Sequence, residues 1–151
     1  MKTVNIYTDG ACSGNPGVGG YGAILECDGK ILELSDGFPD TTNNRMELLS
    51  AIVALEKLKF PCEVNLCSDS KYLCDSISKG WVYSWHKKGW KKSDGKPALN
   101  VDLWERMLVL LAKHKVTINW VKGHNGHPQN ERCDFMAVEA IKKIKEDQCQ
   151  R

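Results

Sequence analysis

At 151 residues, 42% hydrophobic and 26% charged, the chain is long enough for one globular domain with a real core. Its longest apolar runs, AIVAL and MLVLLA, are too short for a membrane span, and the apolar segment of MKTVNIYTDG is too short for a secretory signal. The net charge of +2 is unevenly placed: five lysines face one acid between His86 and Lys96, and the remainder is nearly balanced. A local patch of that kind can track the phosphates of a polyanion. Seven cysteines, odd in number and without a C-x-x-C pair, argue against a disulfide framework or a zinc site and favour the reducing cytoplasm.

In chain order, KTVNIYTD reads as a β-branched strand ending at Asp9-Gly10. YGAILEC and KILELS follow as strands joined by the hairpin signal Asp28-Gly29. TTNNRMELLSAIVALEKLK reads as a helix capped by Thr42 or an asparagine, with Pro61 beyond its end. EVNLCSD is a short buried-type strand, and SKYLCDSISKG a helix stopping near Gly80. WVYSWHKKGWKKSDGK is basic and aromatic without a clear period. Asn100 or Asp102 opens the amphipathic helix NVDLWERMLVLLAKH; KVTINWV is a third core strand. GHNGHPQNE reads as a loop, ERCDFMAVEAIKKIK as a closing helix, and residues 146–151 as a loose tail. A meander followed by alternating helix and strand predicts an α/β sheet, antiparallel at one edge and parallel beyond it.

Residues 9–22, DGACSGNPGVGGYG, hold six glycines, of which Gly17, Gly19 and Gly22 form a literal G-x-G-x-x-G. A dinucleotide site needs a helix to open within such glycines, and here they run into the strand YGAILEC. The informative residue is Asp9. If the first strand and EVNLCSD are parallel neighbours, Asp9 and Asp69 emerge at one sheet edge, with Glu47 and Asp134 near helix starts. Singly, each has a structural reading as a turn, cap or helix-terminus acid. Together, four carboxylates at one edge require neutralising cations. Oxygen donors select Mg²⁺ or Mn²⁺, and two such ions suit phosphodiester hydrolysis.

YTDGACSGNPG, TTNNRMELLSAI, CSDSKYL, the Trp- and Lys-rich segment through NVDLWERM, and VKGHNGHPQNERCD together resemble the bacterial-type ribonuclease HI family. The resemblance covers nearly the whole chain, in order and with little insertion. It implies a ribonuclease H-like α/β fold: a mixed five-stranded sheet in the order 3-2-1-4-5 with helices on both faces. It also implies endonucleolytic cleavage of the RNA strand of RNA–DNA hybrids by two Mg²⁺ ions, with Mn²⁺ as substitute, leaving 5′-phosphate and 3′-hydroxyl ends.

By the same resemblance Asp9, Glu47, Asp69 and Asp134 are the metal-binding catalytic carboxylates, and His124 is a mobile loop histidine serving proton transfer or product release. His127 reads as structural; His86 and His114 read as ordinary residues. The loop backbone around Cys12, with Asn15, Asn43 and Asn44, lies along the minor groove, where the 2′-hydroxyl is sensed. The glycines would let that backbone lie against a ribose. Cys12 itself reads as a small loop residue, not a nucleophile. Thr42 and Asn100 hold a phosphate of the DNA strand, each with a competing role as helix cap. Lys71 replaces the glutamine often found there. It keeps reach to a phosphate but not the capacity to accept a hydrogen bond. Lys87, Lys88, Lys91 and Lys92 form the basic protrusion and meet phosphates without reading sequence. Trp81 packs and also touches a DNA sugar. A chain carrying its own protrusion is expected to work as a monomer. A single-stranded-DNA-binding protein is the partner considered for the tail EDQCQR, which carries no readable motif. The competing readings are a non-catalytic hybrid-binding module on the same fold, which loss of a carboxylate would signal, and a DNA-cutting relative such as an integrase or Holliday-junction resolvase.

Overall fold

The computed structural model describes residues 1–122 and 127–149. Five strands form one sheet in the order β3-β2-β1-β4-β5: β1 Thr3–Ser13, β2 Gly17–Cys27, β3 Lys30–Thr41, β4 Glu63–Ser68 and β5 Lys115–Trp120. β1–β2 and β2–β3 are antiparallel, while β1–β4 and β4–β5 are parallel, so the expected order and mixed sense are both present. The helices are α1 Asn43–Glu56, α2 Lys71–Ser78, α3 Trp81–Lys87, α4 Val101–Lys113 and α5 Pro128–Cys149.

Alternation along the strands divides the core. Val4, Ile6, Val64 and Leu66 meet Leu48, Ile52 and Leu55 of α1, Leu73 of α2, Val82 of α3 and Trp104 and Met107 of α4 on one face. A smaller cluster of Ile24, Cys133 and Met136, with Tyr7 against it, lies under α5 on the other. The side-chain period of two thus sends one set of each strand's residues into each layer.

The strands differ in length from their sequence expectation. β1 and β2 extend into the glycine-rich stretch itself, with Asp9 opposite Gly22, Ala11 opposite Gly20 and Cys12 opposite Gly19, leaving only residues 14–16 as the turn. Glycine is a poor strand former, but here close approach requires it. A Cβ at Gly20 would meet the Ala137 carbonyl at 2.6 Å, and one at Gly37 the Ala140 carbonyl at 2.7 Å. One at Gly22 would strike the Cys133 carbonyl. Gly20 and Gly22 of β2, with Gly37 of β3, therefore accommodate α5, while Gly19 faces Thr41 and Met46. β3 runs on to Thr41 through Pro39 because an edge strand tolerates a missing donor. The Asp28-Gly29 hairpin is present, with φ of 52° and 77°.

Two helix boundaries also move. α5 opens at Pro128, three residues before its expected start, since proline suits the first helical position and its absent N–H is no loss there. It then continues through Cys149, so residues 146–149 are helical and not part of a loose tail; Glu146, Asp147 and Gln148 offer no glycine or proline to end it. α3 lies inside the segment that showed no period, too short at seven residues to display one.

Candidate active site

β1 and β4 run side by side in parallel up to Tyr7 and Cys67, so Asp9 and Asp69, each two residues past that last pair, sit together. Asp9 lies within the longer β1 and not at its end, where the sequence places it, while Asp69 follows the end of β4. α1 supplies the third acid. Thr42 caps the helix, its hydroxyl accepting from Arg45 N–H at 3.2 Å, and this sets Glu47 one turn in. Gly10 lets the helix approach: a Cβ there would lie 2.5 Å from the Glu47 nitrogen. One oxygen from each of Asp9, Glu47 and Asp69 lies within 4.8 Å of the others. Asp134, on α5, stands outside that trio but near enough to raise the pKa of Asp9.

The cluster holds its negative charge poorly. Asp9 is 4% exposed and is pushed up to about 8 from its ordinary 3.8, by burial first, then by the charges of Asp69 and Asp134. Burial, followed by Asp9 and Asp69, likewise drives Glu47 well above the carboxylate range. Asp9 and Glu47 share a hydrogen bond, and Gly10 N–H donates to Asp9 Oδ1 at 2.9 Å. Glu47 Oε2 is buried without a hydrogen-bond partner among the described residues. A buried oxygen lacking a donor, beside two further carboxylates, fits a hard divalent cation. Thiol chemistry is disfavoured: burial raises the Cys12 thiol and pushes Cys74 up to about 12.

The predicted substrate contacts fall into three groups. Cys12, Asn15, Thr42, Asn43 and Asn44 form one continuous surface. Asn43 N–H donates to Asn15 Oδ1 at 3.0 Å, and Cys12 Sγ donates to the Thr41 carbonyl at 3.4 Å, joining the glycine turn to α1. Asn100 sits at the start of α4 with φ of 61°, and its side chain does not cap the helix. Instead Asn100 Oδ1 accepts from Arg45 at 3.3 Å and its Nδ2 donates to the Tyr72 hydroxyl at 3.1 Å. Arg45 thus touches both Thr42 and Asn100, bringing the two phosphate candidates together.

The third group is the basic segment. Val82 is fully buried, Trp85 packs edge-on to Trp104 at 6.2 Å, and the backbone folds back through Ala98 N–H to the Trp90 carbonyl at 2.9 Å. Lys87, Lys88 and Lys91 are exposed and Lys92 is half-buried. Trp81 is 42% exposed, with Lys79 Nζ over its ring at 5.4 Å. Lys71 opens α2 on the site side, two residues after Asp69. His124 lies outside the described residues.

Three contributors are not evident from the sequence. Arg45 forms a two-pronged ion pair with Asp102 at 2.7 and 3.0 Å, which holds Asp102 below the usual carboxylate range. The Tyr72 hydroxyl accepts from Asn100 and from Trp104 Nε1 at 2.9 Å. Trp120 Nε1 donates to the Asp69 carbonyl at 3.1 Å. The only readable sign is proximity: Arg45 shares a turn with Glu47, and Trp120 ends the strand beside that of Asp69.

The family model described as RNase H matches residues 1–142. A "Ribonuclease H" of Desulforamulus reducens is 58% identical over 143 residues, covering 95% of this chain and 90% of its own. One of Agrobacterium fabrum is 57% identical over 145 residues, covering 96% and 99%. Among solved structures, LC9-RNase H1, described as a type 1 RNase H with the type 2 active-site motif, superposes with a TM-score of 0.82. It is 34% identical, over 95% of this chain and 74% of its own.

Proposed function

The chain belongs to the ribonuclease H family, hydrolases that cleave RNA paired to DNA, and from that premise we propose how its own residues divide the work. Asp9, Glu47, Asp69 and Asp134 hold two Mg²⁺ ions, with Mn²⁺ as a substitute. The observation that carries this reading is the trio within 4.8 Å, Asp9 and Glu47 buried and Asp69 half-buried, with its unpartnered Glu47 oxygen. When bound, such ions supply Lewis acidity at both the attacking and the leaving side of the scissile phosphodiester. Burial favours the protonated forms of Asp9 and Glu47, so cation binding, which takes up their carboxylates, is linked to their deprotonation.

The other groups position the hybrid. The surface from Cys12 to Asn44 offers backbone and amide groups to the minor groove, where a 2′-hydroxyl distinguishes RNA from DNA. Thr42 and Asn100, joined through Arg45, receive a phosphate of the DNA strand. Lys87, Lys88, Lys91 and Lys92 meet further phosphates, and Trp81 meets a sugar. His124 assists proton transfer or product release. Because the basic segment is part of this chain, no second subunit is needed to complete the surface, and the working form is a monomer. Seven unpaired thiols suit a reducing cytoplasm.

The test is a panel of labelled RNA–DNA hybrid, duplex RNA and duplex DNA, with Mg²⁺ or with chelator. Hybrid alone is cleaved, only with the cation, and only in its RNA strand. Cleavage of duplex DNA, or of hybrid in excess chelator, overturns the reading.

A further inference from the structure

Trp120 closes β5 and remains 45% exposed at the rim of the carboxylate site. Ser68 and Trp120 are the last paired residues of β4 and β5, and Val121 N–H donates to the Ser68 carbonyl at 2.9 Å. The next carbonyl, that of Asp69, lies beyond the ladder. The indole N–H of Trp120 donates to it at 3.1 Å. On the following residue, Ser70 N–H donates to Ser68 Oγ and Ser70 Oγ caps α2 through Leu73 N–H, both at 3.1 Å. The Asp69–Ser70 peptide is thereby fixed from the Trp120 side and from the helix side. A fixed peptide plane restrains the Asp69 backbone, and with it the Cα–Cβ bond from which the carboxylate projects.

The same indole has a second contact. Lys71 Nζ lies 5.0 Å from the centroid of the Trp120 ring, within cation–π range. A lysine two residues from Asp69 would otherwise be drawn towards three clustered carboxylates and would compete there with a divalent cation. Held on the ring, its charge stays at the rim. The flexible side chain is also partly ordered before any phosphate arrives.

We propose that Trp120 is a positioning residue with two separable effects: its indole N–H aims the Asp69 carboxylate for cation binding, and its ring holds the Lys71 ammonium against a phosphate of the hybrid. This deepens the ribonuclease reading and rests on it.

The two effects separate by mutation. Trp120→Phe keeps a ring face and removes the N–H. It should weaken Mn²⁺ binding to the free protein by roughly tenfold in calorimetry, the lower end of what outer-shell partners contribute. It should lower kcat by a similar factor, with KM and the salt slope of hybrid binding unchanged. Lys71→Met, which removes the charge without adding the family's hydrogen-bonding amide, should raise KM several-fold and reduce the salt slope by about one while Mn²⁺ affinity holds. Trp120→Ala should show both effects.

Wild-type Mn²⁺ affinity in Trp120→Phe overturns the first effect, and a wild-type salt slope in Lys71→Met overturns the second. A Trp120→Phe protein that melts earlier while kcat and KM change together has lost a structural residue only, which also overturns the proposal. If the wild type itself leaves hybrid intact, the ribonuclease reading fails, and the calorimetric arm still reports on Asp69.

Discussion

The carboxylate edge and the basic segment are built on opposite physical terms. At the edge, Asp9 and Glu47 are each 4% exposed and lie against other acids, so the fold crowds carboxyls into a dry place that disfavours their charged forms. In the basic segment, Val82 and Trp85 anchor a scaffold whose lysines mostly remain in water. Repulsion between buried charges is strong and local; attraction between exposed charges and a polyanion is weak for each pair and additive. Chemistry therefore concentrates in a few atoms that cannot move, whereas affinity is spread over many that can.

The sharpest break in that comparison is Asp9→Asn. It should lower kcat about a thousandfold, several kcal/mol of lost transition-state stabilisation, while hybrid binding stays near wild type. In chelator the same variant should melt at a higher temperature, because folding no longer has to protonate Asp9 or bury its charge among acids. Retained turnover, or a lowered melting temperature in chelator, contradicts the assignment.

Replacing Lys87, Lys88, Lys91 and Lys92 together by glutamine should act the other way. KM should rise roughly tenfold at moderate salt with kcat preserved, and the slope of log affinity against log salt should flatten by about one for each phosphate no longer neutralised. An unchanged slope removes these lysines from the hybrid surface.

A smaller effect comes from the amino ends of the parallel strands, opposite the carboxylates. His114 is buried, and its Nδ1 accepts from Cys62 N–H at 3.0 Å; burial first and Lys113 second hold its pKa below the ordinary 6.5. The folded state binds that proton less readily than the unfolded chain. Its contribution to stability is thus full above about 6.5 and is lost as pH falls through the depressed folded value. Asp9 and Glu47 titrate in both proteins, so the difference isolates His114: between about pH 7.5 and about pH 5 the urea midpoint of His114→Asn, which keeps an acceptor without a titrating ring, should gain on that of the wild type.

The smallest effect expected is that of Arg106→Ala. Arg106 pairs with Glu56 at 2.6 Å between α4 and α1, with both side chains more than 40% exposed. Its loss should cost under about 1 kcal/mol in denaturant titration and leave hydrolysis untouched. A larger loss means that exposed charge matters more to this fold than its contrast with the buried acids implies.

Sequence patterns that act locally are readable. The Asp28-Gly29 hairpin and the Thr42 cap sit where chain-local rules place them. What escapes reading arises between distant segments. Trp120 reaches Asp69 across 51 positions and Arg45 reaches Asp102 across 57, and neither pair leaves a periodic trace. His114 looks ordinary in the sequence for the same reason: its partner lies 52 residues earlier, on the segment leading into a neighbouring strand. β2 is longer than its sequence suggests because glycine signals turns, and nothing in GVGG announces two helices closing on it from opposite sides.

Those glycines have a consequence for how the protein can vary. Gly10 faces the amide of Glu47, and Gly22, the strand partner of Asp9, faces the carbonyl of Cys133, one residue before Asp134. Two hydrogen atoms thus gauge the distance from β1 to the acid of α1 and from β2 to the acid of α5. A single methyl group at either position would act as a shim. It would push one acid outward with every catalytic side chain still present, and enzyme disabled in that way would show no damage when its active-site residues are compared with those of an intact relative.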